Sequence, residues 1–378
     1  MLALRHKFAK VVMVYPGEAA ATDDTMPVRP WPNPTALLGA LGLTRLKRRI
    51  DQRVLFPSNR ILFYLAARRR LARTVRKDLD AGRNVCVLLA VPPHGVLPLI
   101  PYLRRHVPEA RLVVDWQDLW SHDRTYLDRY PEDQQAKLRR LEQDAIAAAD
   151  LNITTNSFAE QQFQKLFAVP KDGVTHIVHH FDREDAPGNT AREGKLKIGF
   201  LGTLFKPPKV PGARVLSALD DAIDAGIDVE LHVFGGAQER AEEALATLRH
   251  DFVRMHPHAP LREALRNLAT CDYVLLTLAD EPNCRIIMHG KLPHYLLTER
   301  PIIALVPDDS YVAHMIAETG TGTVIGTDRD WGEALVNLLT QYRRDDHRHE
   351  PNQAAVKEFD FERLQHRWLN ALVGRTDP

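Results

Sequence analysis

The chain has 378 residues, 44% of them hydrophobic and 26% charged, with a net charge of +1. That length suits about two domains, and the composition is that of a globular chain with a large core rather than a disordered or fibrous one. Three cysteines (Cys86, Cys271 and Cys284) without a C-x-x-C spacing argue against a disulfide framework and a structural zinc. The N-terminus lacks a signal-like segment, and no apolar run approaches the roughly 20 residues needed to span a bilayer. The expectation is a reducing cytoplasm.

The first strand expected is Val11–Tyr15. Between positions 45 and 77 the charge is concentrated: twelve lysines and arginines stand against one acid, Asp51. Arg60–Leu79 within it reads as a long basic amphipathic helix. Three uses fit such a stretch. Nucleic-acid binding is disfavoured, because stacking aromatics are sparse and no binding motif accompanies them. A solvated helix face is the plain reading. An anionic membrane surface is the preferred one, with Ile61, Leu62, Phe63, Tyr64 and Leu65 forming an apolar edge and Arg68, Arg69 and Arg70 meeting lipid.

From Asn84 onward short apolar runs alternate with helical stretches. The runs lack alternation, as strands covered on both faces do. In the first half they are Val85–Val91, Leu112–Trp116, Leu151–Thr154 and Val174–Val178, with a helix over Gln134–Ala149. Glu184–Gly194 is polar and holds Pro187, Gly188 and Gly194, which marks a linker. The second series has strands Leu196–Leu201, Val229–Phe234, Phe252–Met255, Tyr273–Leu278, Ile302–Val306 and Thr323–Ile325. Its helices are Ala213–Ala225, Ala237–Leu248, Leu261–Leu268, Leu292–Leu297, Tyr311–Glu318 and Trp331–Tyr342, and the tail Phe359–Leu372 is one last helix. Two tandem βαβ series predict two doubly wound parallel sheets, with ligands at the carboxyl ends of their strands and a site in the cleft between the domains.

In the second half, Lys197-Ile-Gly-Phe-Leu-Gly202-Thr-Leu is a strand ending in glycine ahead of a helix, an arrangement that lets backbone amides approach a phosphate. Lys206 and Lys209 lie in the loop that follows, and Val233-Phe-Gly235-Gly236 repeats the pattern. In the first half, His94 follows a strand and two prolines, Asp115 and Asp118 flank the end of the next strand, and Trp116 and Trp120 read as core. For His94 a helix-start histidine is the plain alternative. For the aspartates, hydrogen bonding to an acceptor or to loop structure is favoured over a metal pair. His179-His180 has the residue types of a metal or base pair, but it ends a strand at the domain junction, and the structural reading is preferred.

Four segments occur in an informative order: the strand–Gly–x–Leu near 200, Leu231-His-Val-Phe-Gly-Gly, Cys271-Asp-Tyr-Val-Leu-Leu, and Lys291-Leu-Pro-His-Tyr295-Leu with Pro301. This set resembles the donor-binding domain of family 4 GT-B glycosyltransferases over residues 195 to 340. The first half is similar more loosely, through Val91-Pro-Pro-His94, Asp115-Trp-Gln-Asp118-Leu-Trp120 and Ala148-Ala-Asp150-Leu. Those segments resemble a bacterial subset that builds surface polysaccharides.

The resemblance implies an α/β, GT-B architecture of two Rossmann-like doubly wound domains facing across a cleft. Residues 1–185 form the acceptor side together with a C-terminal helix in 355–378 that returns to it, and residues 195–350 form the donor side. It implies donor contacts from Gly202, Thr203, Lys209, Gly235, Glu281, Lys291 and His294, a catalytic His94 beside the donor sugar, and acceptor contacts from Asp115 and Asp118. No metal and no cofactor are expected, the nucleotide sugar being substrate. The partners expected are that donor, a saccharide or lipid-linked acceptor and an anionic membrane, without nucleic acid, at the inner face of the cell membrane.

The chain departs from the family at several points. Thr203 replaces the arginine that often follows the glycine. The family's glutamate pair is absent: His294 occupies the second position and Ile286 the first, which Glu281 reaches only with about five extra loop residues. The opening Met1–Pro16 reads as the end of a first helix running into a second strand, with no glycine-rich loop. These departures keep two other readings open, a non-catalytic GT-B partner subunit and a nucleotide-sugar epimerase of the same fold.

Overall fold

The computed structural model describes residues 7–16, 25–58, 60–118, 120, 123, 127–128, 130–188, 195–206, 210–235, 241–343 and 350–374. Lys209 and the linker end at 189–194 lie outside the described residues. The chain divides into two compact units: Met1–Ile177 with Gln365–Pro378, and Val178–Leu364.

Unit 1 opens with a parallel pair, β1 (Met13–Pro16) and β2 (Thr25–Val28). Two helices follow, α1 (Ala36–Ala40) and α2 (Thr44–Val54), and then the long α3 (Ile61–Asp80). After it come β3 (Cys86–Val91), α4 (Leu99–His106), β4 (Arg111–Trp116), α5 (Glu132–Ala148), β5 (Leu151–Thr154), α6 (Ser157–Phe167) and β6 (Val174–His176). The last four strands form a parallel sheet in the order β3-β4-β5-β6. Leu112, Val113 and Val114 of β4 are each 0% exposed, which explains a strand without alternation: helices cover both faces. Glu132 and Asp133 suit the positive N-terminal end of α5, and the Asn156 side chain caps α6 by accepting from Ala159 N.

The apolar stripe of α3 is not a free edge. Leu62, Tyr64, Ala67, Leu71, Ala72 and Val75 are buried, because α3 carries the chain from β2 to β3 and needs that stripe for the core of unit 1. Arg68 turns inward as well, with its guanidinium 5.4 Å from the Tyr64 ring centroid and 5.6 Å from that of Tyr102. Only Arg69 and Arg70 of the expected trio are exposed, and Arg70 donates to Pro27 O at 3.3 Å. The apolar contact with lipid expected of α3 is therefore corrected. No described helix is long and apolar enough to cross a membrane.

Unit 2 contains β7 (Leu196–Leu201), the short antiparallel pair β8 (Phe205–Lys206) and β9 (Val210–Pro211), and α7 (Gly212–Asp224). It continues with β10 (Val229–Phe234), α8 (Ala241–Leu245), β11 (Val253–His256), α9 (Leu261–Leu268) and β12 (Tyr273–Thr277). Then follow α10 (Leu292–Thr298), β13 (Ile302–Leu305), α11 (Tyr311–Thr319), β14 (Gly322–Ile325), α12 (Trp331–Arg343) and α13 (Gln353–Val356). The six-stranded sheet is parallel throughout, in the order β11-β10-β7-β12-β13-β14. That is third, second, first, fourth, fifth, sixth: the doubly wound Rossmann order, whose winding reverses between β7 and β12.

Ile198, Phe200, Leu231, Val233, Tyr273, Leu275 and Ile303 point into one core with Val215 and Leu219 of α7 and Leu335 and Leu339 of α12. On the opposite face, a Cβ at Gly199 would stand 2.8 Å from Leu268 Cδ2 and 3.0 Å from Cys271 Sγ, so glycine there lets α9 pack close to the sheet. The final helix, α14 (Phe361–Val373), begins in unit 2 and ends in unit 1. Arg111 donates from Nε and Nη2 to Ala371 O at 3.0 and 2.9 Å, and Arg367 donates to His176 O at 2.6 Å.

Candidate functional site

In a doubly wound sheet, ligands enter where the winding reverses, because neighbouring loops there leave on opposite faces. In unit 2 that point lies between β7 and β12. The two strands pair only through Ile198 with Tyr273 and Gly199 with Val274, and then part. The fully buried Tyr295, on α10, fills the opening. Leu201 N donates to its hydroxyl oxygen at 3.0 Å, and the hydroxyl donates to Leu275 O at 3.0 Å. Burial pushes the Tyr295 phenol well above its ordinary range, so it stays protonated and keeps its donor.

One turn earlier on the same segment, Lys291 reaches the end of β7. Its Nζ lies 3.6 Å from the centroid of the buried Phe200 ring, and a Cβ at Gly202 would stand 3.4 Å from Lys291 Cε. Gly202 has φ +92°, a backbone state that other residues rarely adopt, and its N–H donates to Phe234 O at 2.7 Å. Gly235 repeats the arrangement at the end of β10, with φ +84° and its N–H on His256 O at 3.2 Å. Thus Gly202, Gly235 and Lys291 come together at the strand ends, with Thr203 half-buried next in the chain. Beside Gly235 the rings of Phe234 and His256 stack at 4.5 Å, and His232 Nδ1 lies 3.0 Å from His256 Nε2.

Glu281 and His294 lie on the chain between β12 and β13. Glu281 precedes the short helical turn Pro282–Arg285 after β12. His294 groups with the histidine pair that the sequence reads as structural. Burial first, and then the neighbouring His180 and His294 rings, lower His179 to about 4. His294 is itself held below its ordinary value by burial, with Asp185 opposing. His294, at the position where the resemblance implies a glutamate, thus neighbours His179 and His180, and burial holds all three imidazoles below their ordinary values.

In unit 1 the corresponding strand ends carry His94, Asp115 and Asp118. His94 sits in a single helical turn after β3 and stacks on Trp120, ring centroids 4.1 Å apart at 16°. Burial lowers it to about 4 against the pull of Asp123, so it is neutral at pH 7. Asp115, next to last in β4, is raised to about 6 by burial, although the Gln117 amide donates to it at 2.8 Å. Asp118 follows, half-buried. Trp116 and Trp120 are core, at 1% and 3% exposure, and Trp116 Nε1 donates to Asn152 Oδ1 at 2.9 Å. Sequence reasoning missed the role of the Tyr295 hydroxyl, although the tyrosine stood four residues after Lys291 in a segment singled out for the lysine.

No family model matches the chain, and no curated protein matches it either. Solved structures do. Sucrose-phosphate synthase from Thermosynechococcus elongatus superposes with a TM-score of 0.65 at 13% identity, over 97% of this chain and 89% of that one. A UDP-forming α,α-trehalose-phosphate synthase from Burkholderia xenovorans, solved with glucose-6-phosphate, gives a TM-score of 0.61 at 11% identity, over 83% and 78%. A glycosyltransferase from Rickettsia africae gives 0.56 at 10% identity, over 81% of each chain. The chain has the GT-B fold. Its two Rossmann-like units are those of GT-B proteins, and the Gly202–Lys291–Tyr295 arrangement lies at the winding reversal of the second.

Two measurements probe this GT-B framework. Tyr295→Phe removes the hydroxyl and strands Leu201 N–H and Leu275 C=O, so the urea midpoint should fall by an amount equivalent to about 1–3 kcal/mol. An unchanged midpoint would show that the bridge contributes nothing. The Asp115 carboxyl ionises near 6 when folded and at its ordinary 3.8 when exposed, so its buried charge costs stability that grows as pH rises from about 4 to about 6 and is constant above. Asp115→Asn should therefore stabilise the protein by up to about 3 kcal/mol at pH 8 and hardly at all at pH 4. Denaturant titrations at the two pH values decide it.

Proposed function

We propose that the chain is a hexosyl-type glycosyltransferase that moves a sugar from a nucleotide-sugar donor to a saccharide or lipid-linked acceptor at a membrane surface. The observation that carries this reading is the Lys291 ammonium held beside positive-φ Gly202 where β7 and β12 part in a GT-B fold. A cation and free-backbone glycines at such a point suit a diphosphate. Lys209, in the same loop sequence, adds a second cation. The ring stack of His232, Phe234 and His256 beside Gly235 offers a flat surface suited to a nucleobase.

In the reaction proposed, an acceptor hydroxyl oxygen bonds to the anomeric carbon as the bond from that carbon to the diphosphate breaks, and the hydroxyl proton passes to the departing diphosphate. Lys291, Lys209 and loop amides stabilise the charge that develops on the leaving phosphate. The resemblance to family 4 supports retention of configuration without a metal, and surface polysaccharide as the product class. Neutral His94 is suited to hydrogen-bonding the reacting sugar, and Asp115 and Asp118 to binding the acceptor. The basic stretch from Arg45 to Lys77 supports work at the inner face of a bacterial membrane.

A second reading, a GT-B partner subunit that binds nucleotide without turnover, draws on His294 standing at the second glutamate position among neutral histidines. Incubation with a panel of nucleotide sugars separates the readings. Release of free nucleotide supports transfer, epimer formation supports an epimerase, and binding alone supports the partner subunit.

Lys291→Ala and Lys209→Ala should each weaken nucleotide-sugar affinity by about 1.5–3 kcal/mol, roughly tenfold to a hundredfold, by calorimetry. Unchanged affinity in both sinks the donor site. His94→Ala should lower kcat far more than donor affinity, because a group touching the reacting sugar matters most in the transition state. An unaltered kcat leaves His94 a packing residue.

A further inference from the structure

The described residues expose eight large hydrophobic side chains, and five of them fall between positions 31 and 46: Trp31, Leu37, Leu41, Leu43 and Leu46. Leu37 and Leu41 are the most exposed, at 70% and 64%. Apolar groups so concentrated mark an interaction surface rather than ordinary scatter.

The element that carries them is braced. The Thr35 hydroxyl, itself 2% exposed, hydrogen-bonds the Asp51 carboxylate, which also pairs with Lys47 one turn earlier on α2. Lys47 in turn lies along α1, where a Cβ at Gly39 would meet its Cδ at 3.3 Å. At the two ends, Trp31 N donates to Leu62 O at 3.3 Å, and Leu55 is buried. The single acid of the basic stretch is thus consumed in holding α1 against α2, which leaves the surroundings of the leucines cationic. Arg45 is exposed between Leu43 and Leu46, and Arg60, Arg69, Arg70, Arg73 and Lys77 are exposed on and before α3.

We propose that the α1–α2 hairpin is the membrane-inserting element of this protein, with Trp31, Leu37, Leu41, Leu43 and Leu46 entering the interface of an anionic bilayer while the flanking cations meet its head groups. Charge complementarity selects this occupant: the exposed Arg45, Arg60, Arg69, Arg70, Arg73 and Lys77, with the stretch's one acid internally paired, suit an anionic sheet, and exposed leucines beside arginines suit a boundary that is apolar below and charged above. The assignment rests on the membrane part of the proposed function and moves it from α3, whose apolar side is buried, to α1 and α2. It is independent of donor chemistry.

The test uses the full chain and vesicles of phosphatidylcholine alone or with one quarter phosphatidylglycerol. The wild-type protein should sediment with the anionic vesicles and not with the neutral ones. Its tryptophan emission should move to shorter wavelength, and that shift should vanish in Trp31→Phe. The variant with Leu37, Leu41, Leu43 and Leu46 all changed to serine should lose at least about tenfold in vesicle affinity, while its circular dichroism, unfolding midpoint and nucleotide affinity stay at wild-type values. Should nucleotide affinity be absent throughout while vesicle binding behaves as stated, the donor reading fails and the hairpin assignment stands. Anionic-vesicle binding that survives the serine variant, or is absent from the wild type, overturns the assignment. So does a wild-type dimer that the serine variant converts to monomer without vesicle binding in either, which gives the leucines to a second copy of the chain.

Discussion

Where two parallel strands of a doubly wound sheet part, each leaves backbone polar groups facing a gap that helices have sealed from water. Every arrangement around the winding reversal of unit 2 follows from how that gap is filled. Here a single phenol does it, accepting from β7 at Leu201 and donating to β12 at Leu275. The bridge lies one residue short of Gly202, so the strands are tied below the glycine and left open at it. Tyr295 N also donates to Lys291 O at 2.9 Å, which couples the buried ring to the lysine one turn away. The lysine side chain runs across the Phe200 ring toward the glycine.

Unit 1 solves a different problem with similar means. Its strand ends carry two groups whose protonation is set chiefly by burial rather than by partners: an imidazole that stays neutral at physiological pH and a carboxyl that titrates close to it. Opposite shifts follow from one cause, because desolvation penalises the charged form whichever sign it has. Stacking against Trp120 fixes the plane of His94, and the Gln117 amide fixes one oxygen of Asp115. Both groups therefore have defined directions.

The sheets were legible in the sequence because both faces of their strands are buried, so that runs such as Leu112–Trp116 and Tyr273–Leu278 stand out from what surrounds them. Parallel sheets followed from alternation, which does not give their strand order, and Gly202 and Gly235 followed from strand-ending glycines. Lys291 beside Gly202 was legible only through resemblance, since no local pattern joins residues so far apart in sequence. The Tyr295 bridge was not legible: apolar spacing says that a tyrosine is buried but not where its hydroxyl points. Thr25–Val28 escaped notice because it is short and contains Pro27. The hairpin of α1 and α2 escaped because periodicity is read as burial, and its leucines are exposed. The same logic misassigned α3, whose apolar stripe serves the core and whose Arg68 lies between two tyrosine rings.

Unit 1 is discontinuous: Gln365–Pro378 belongs to it, and Arg111 and Arg367 hold that last helix by hydrogen bonds to Ala371 O and His176 O. Protein synthesis runs from the N-terminus, so the ribosome delivers all of Val178–Leu364 before unit 1 receives its closing helix. Until then the Arg111 guanidinium has no Ala371 carbonyl to donate to, and the surface that α14 covers faces solvent. Completion of unit 1 therefore waits on the synthesis of unit 2.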